Sequence, residues 1–129
     1  MKAILGAALL MWALSGLAAA QGMSYSDAKA MYDSLKRATG AVGAAGGDCD
    51  KAAQAVKDSV PAYQKGWAAG ALKDGWWNKT KMNDFFKADI ATLHTTVLPK
   101  FRLAVLGKSK ACVSHPGFQE GVVMLNIKE

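Results

Sequence analysis

TKMNDFFKADIATLHTTVLPKFRLAVLG, residues 80–107, sets Met82, Phe86, Ile90, Leu93, Val97, Phe101 and Val105 at steps of three and four. That spacing is one face of an α-helix and not the period of two of a half-buried strand. It predicts a helix that begins near Thr80 and stops at Gly107. Pro99 lies off the stripe and is expected to bend or split the helix, because it removes a backbone donor and crowds the preceding turn.

The same period runs upstream. From Ser26 onward Ala28, Met31, Leu35, Ala38 and Val42 share a face, with Ser24 or Ser26 available as the cap and Gly46-Gly47 as the stop. Asp48 can cap a second helix, on which Cys49, Ala53, Val56, Val60, Tyr63, Trp67 and Gly70 alternate steps of four and three. Their phase survives Pro61, which predicts one kinked helix rather than two. ACVSHPGF, residues 111–118, reads as the start of a fourth helix. Ser114 is its expected cap, Pro116 sits in its first turn, Val113 is placed to staple against Phe118, and Phe118, Val122 and Leu125 form its buried face. Four amphipathic helices with short connections predict an all-α fold, an antiparallel up-down-up-down four-helix bundle.

Two segments divide the chain. Residues 1–20 carry Lys2, an apolar run from Ala3 to Leu14 and a closing Ala18-Ala19-Ala20, the pattern of a cleaved secretory signal peptide. The run is too short and too interrupted by Ser15-Gly16 for a membrane span. Residues 21–129 are then one helical domain, secreted or periplasmic. Export leaves Cys49 and Cys112 as an even pair in an oxidising compartment, and both lie at helix starts on the same end of such a bundle. A Cys49–Cys112 disulfide is expected.

The formal charge is +6, and Lys73, Lys79, Lys81, Lys87, Lys100, Arg102, Lys108 and Lys110 crowd one stretch against Asp74, Asp84 and Asp89. A solvated face is the plain reading; an anionic ligand or a weak contact with an anionic membrane surface are the functional ones. Nucleic acid is an unexpected partner for an exported protein. Catalytic chemistry finds little to use. There is no C-x-x-C-H for covalent haem, Met23 and Met31 lie at the opposite bundle end from His115, and His94 sits on the flank of its stripe as a structural histidine. Two isolated histidines make no zinc set, and Glu120 and Glu129 supply no Glu-x-x-His pair. No enzyme, metal or cofactor is expected. A haem-binding or electron-transfer bundle of cytochrome type and a membrane-surface protein are the alternatives to a binding or accessory protein for a partner or an amphiphilic, anionic ligand.

The candidate site is GWAAGALKDGWWNKTK, residues 66–81. Trp67, Trp76 and Trp77 stand there among small residues with Lys73, Lys79 and Lys81, either plugging the end of the bundle or forming an aromatic edge with a cationic rim. Adjacent side chains diverge, so at least one of Trp76 and Trp77 is expected to meet solvent or lie on an outer groove. Asn78-Lys79-Thr80 also matches a glycosylation sequon.

Overall fold

The computed structural model describes residues 23–127, and the leader read at residues 1–20 lies outside them, as do Gln21 and Glu129. Among the described residues the chain forms four α-helices and no strand. Helix α1 is Tyr25–Ala44 and α2 is Cys49–Ala68; a short 3-10 helix, Trp76–Lys79, precedes α3, Asp84–Ala111, and α4 is Pro116–Leu125.

Each start has a local cause. Ser24, rather than Ser26, caps α1 by accepting the Asp27 N–H at 3.1 Å, and Asp48 caps α2 by accepting that of Lys51 at 3.1 Å. Both oxygens satisfy a donor that the helix itself leaves unpaired. α2 passes Pro61 without a break, and Pro61 faces solvent. At its far end Gly70 takes a φ of 73°, and the Ala71 and Gly70 N–H groups return to Gly66 and Trp67. This left-handed reversal suits glycine and turns the chain back so that Ala71 and Leu72 are buried.

Three expectations for the second half are corrected. α3 starts at Asp84, with Asn83 accepting the Phe86 N–H at 2.9 Å, and not near Thr80. It is not split at Pro99 and runs past Gly107 to Ala111. Pro99 is exposed, so its missing donor costs the core nothing, and the last turn gains Lys108 and Lys110 against the helix dipole. The connection from α2 to α3 is also longer than expected, spanning Ala69 to Asn83.

The cap of α4 is His115 and not Ser114. Its Nδ1 accepts the Phe118 N–H at 3.0 Å, while Nε2 lies 2.7 Å from Asp50 Oδ1 at the start of α2. A carboxylate only accepts, so Nε2 carries the proton and leaves Nδ1 free to cap. Val113 is exposed and staples nothing. His115→Ala should therefore cost about 1 kcal/mol in urea unfolding, and Ser114→Ala close to none. The opposite order would return the cap to Ser114.

α1 packs closely on both α2 and α3, and α4 packs on α2, whereas α3 meets α2 and α4 at few backbone positions. Glycine sets two of these approaches. A Cβ on Gly66 would collide with the Met31 sulfur, and one on Gly121 would lie 2.7 Å from a Val56 methyl. Tyr32, Leu35, Val56, Tyr63, Ile90, Phe101, Phe118 and Leu125 fill the core. The disulfide joins Cys49 to Cys112 with Cα atoms 5.7 Å apart, tying the first residue of α2 to the residue after α3. Among the described residues no helix is long and apolar enough to cross a membrane.

Candidate functional site

The proposed aromatic edge does not hold together as one surface. Trp76 is 7% exposed, and its Nε1–H donates to the Tyr32 hydroxyl at 3.3 Å. Trp77 is half-buried, with its ring 5.0 Å from that of His94. The two indoles pack edge to face, with ring centroids 6.4 Å apart and 78° between planes. One of the two therefore keeps some contact with solvent: Trp76 is closed off against α1, while Trp77, against α3, is only partly covered. Lys73, Lys79 and Lys81 are exposed around this turn.

The pair borders a polar chain that runs from the buried Tyr32 and His94 out to the exposed Asp74. His94 is 3% exposed, its Nδ1 lies 3.0 Å from the Tyr32 hydroxyl, and its Nε2 lies 2.7 Å from Asp74 Oδ1. Asp74 accepts, so Nε2 is protonated and Nδ1 receives the Tyr32 O–H; Tyr32 in turn receives the Trp76 N–H. Every proton then has one acceptor. An imidazolium would instead leave the Tyr32 hydroxyl proton without a partner among the described residues. The sequence reading had nothing to fix this ring, since Tyr32 and Asp74 lie 62 and 20 residues away. The chain pins the 70–80 segment onto the α1–α3 seam. A haem iron on His94 would have to displace one of these partners.

Burial pushes the Tyr32 hydroxyl from an ordinary 10.0 up to about 12, with the Trp76 hydrogen bond opposing the shift. A phenol held above its unfolded value stabilises the fold fully below about pH 10 and loses that contribution as the pH rises to about 12. The Asp89 carboxylate, accepting from Tyr25 at 2.6 Å, raises Tyr25 as well. The phenolate absorbance lost between wild type and Tyr32→Phe should accordingly titrate near pH 12, and wild-type stability should fall between pH 10 and 12 more steeply than that of the variant. A difference titrating near 10 would mean that the hydroxyl is open to water.

Trp67 is in a different place. It is 45% exposed and lines an open cleft of about 320 Å³ with Tyr63, Arg102, Asn126 and Ile127, a wall that includes neither Trp76 nor Trp77. The cleft exists because α4 is short. α4 runs beside α2 from Asp50, which His115 meets, to Gln64, which bonds the Met124 carbonyl at 3.4 Å. Then Asn126 takes a φ of 54° and ends the helix. Trp67, about one turn beyond Gln64, has no described helix over it.

Arg102 reaches this gap from α3. Its Nε donates to the Tyr63 hydroxyl at 3.3 Å, and Tyr63 is itself held by the Phe101 ring, 5.6 Å away. No carboxylate among the described residues pairs with Arg102. The sequence named Trp67 but counted Arg102 only as part of the basic surplus. Its position next to Phe101, a core residue of the stripe, was the available signal that it borders the seam. No group of three or more His, Cys, Asp or Glu among the described residues is placed to hold a metal. The chain matches no protein-family model, no curated protein and no solved structure.

Proposed function

We propose that this chain is an exported binding protein without enzymatic activity, secreted or periplasmic, whose ligand enters the cleft between Tyr63, Trp67 and Arg102. The observation that carries this reading is an exposed indole beside an arginine with no described carboxylate partner, in a gap of ligand size. Trp and Arg are enriched at binding hot spots, Trp for its large rigid contact area and Arg for its charged planar fork of donors. The disulfide suits an oxidising compartment. The scaffold in this reading is a bundle whose helices alternate up-down-up-down along the chain, with the closely packed pairs α1·α3 and α2·α4 each running in one direction. Supporting it, Tyr25 at the start of α1 stacks on Phe86 at the start of α3, whereas the disulfide brings the start of α2 to the end of α3. α4 starts beside the start of α2 and runs with it.

Native purification from the exporting host followed by mass spectrometry tests the function. The wild-type protein should carry a small molecule that Trp67→Ala releases while Trp77→Phe keeps it. A bound molecule retained by Trp67→Ala would remove the cleft from consideration.

A further inference from the structure

Resting on that cleft as the binding site, we infer that its ligand is a monocarboxylate with an apolar body of medium length. The carboxylate is set by Arg102. Its guanidinium is permanently charged and half-buried, and its one described partner is the neutral Tyr63 hydroxyl on Nε. With Nε occupied, the two terminal nitrogens remain. Their edge presents two parallel N–H donors, which match the two oxygens of a planar carboxylate. A phosphate needs more donors than this, and the other polar side chain at hand in the wall is the exposed Asn126.

The body is set by the other walls. Trp67 and Ile127 are apolar, and the buried Tyr63 backs the wall between them. The volume of about 320 Å³ lies at the small end of ligand pockets, which fits a chain of roughly ten carbons or a compact ring system and not a long lipid or a folded peptide. An aliphatic chain laid against the Trp67 face removes apolar area from water on both partners. Tyr63 has a positioning role: buried and packed on Phe101, it holds the guanidinium by Nε and fixes which edge faces the gap.

Calorimetric titration of the oxidised protein with decanoate, decanol and decyl phosphate tests the assignment, using wild type, Arg102→Gln, Arg102→Lys, Trp67→Leu and the remote Lys79→Gln. Decanoate should bind one to one. Arg102→Gln should weaken it at least about tenfold, as expected for a lost charged hydrogen bond, with Arg102→Lys recovering part of the loss and Lys79→Gln changing it little. Decanol should bind more weakly than decanoate to wild type and equally to wild type and Arg102→Gln. Thermal melts of each variant, with Arg102→Lys as the charge-retaining control, separate lost binding from lost folding. No decanoate binding, decanoate binding indifferent to Arg102, or decyl phosphate clearly preferred would each overturn the carboxylate assignment while leaving the cleft standing. Decanoate binding that depends on Arg102 but survives Trp67→Leu intact would also overturn the seating of the apolar body. If the molecule carried from the host is likewise retained by Trp67→Ala, the cleft reading itself falls.

Discussion

Replacing Cys49 and Cys112 together by serine is expected to lower the unfolding free energy by about 4 kcal/mol. The bridge spans 63 residues, and closing a loop of that length removes about that much chain entropy from the unfolded state. The native side adds little to offset the loss, because Cys112 is buried at the end of α3 and serine there brings a hydroxyl into an apolar site. Domains of this size commonly hold about 5–15 kcal/mol in all, so the reduced form should be marginal at physiological temperature. Guanidinium unfolding of the oxidised protein against the double serine variant measures the difference. A loss under about 1 kcal/mol would show that the unfolded chain already keeps these ends together.

Phe101→Ala should be comparably damaging, at about 3–5 kcal/mol. Phe101 is fully buried, and its ring packs on Tyr63 across a seam where the backbones of α2 and α3 rarely approach one another. Side chains alone bridge that seam, so the cavity left by alanine cannot be closed by a small helix shift. A fall in melting temperature of at least about 10 °C is expected from the usual few degrees per kcal/mol in a domain of this length. The variant also loosens Tyr63, so on the proposed reading of the cleft its affinity for decanoate should weaken without any change to Arg102 or Trp67. A drop below about 1 kcal/mol would mean that α2 and α3 are joined by something other than this ring pair.

The helices themselves were legible because their stripes repeat over several turns: Met31, Leu35 and Val42 on α1, Val56, Val60 and Tyr63 on α2, Ile90, Val97, Phe101 and Val105 on α3 are buried as their spacing requires. Boundaries were less legible, since they depend on competing local signals. Gly107 disfavours helix by about 1 kcal/mol, but the turn beyond it is held by Cys112 and its bridge, which no local propensity contains. At α4 the serine signal and the proline signal disagreed by one residue. Proline prefers the first helical position, which makes the residue before it the cap, and His115 has an acceptor nitrogen to fill that role.

The site was legible only in part, for a tertiary reason. Trp67, Trp76 and Trp77 are conspicuous by type, yet their exposure depends on what covers them. Trp76 meets Tyr32 from α1, Trp77 meets His94 from α3, and Trp67 is left open by the early end of α4. Arg102 and Tyr63 lie 39 residues apart and have no shared motif. Pairings of this kind become visible once the helices are docked.

The position of the bridge also decides what a protease can do to this molecule. Cys49 precedes the Ala69–Asn83 connection and Cys112 follows it, so a single cut anywhere in that connection separates α1 and α2 from α3 and α4 along the chain while a covalent link through sulfur remains. The two halves stay at fixed stoichiometry and high effective concentration. Nicked protein therefore runs as one species on a non-reducing gel and as two on a reducing one.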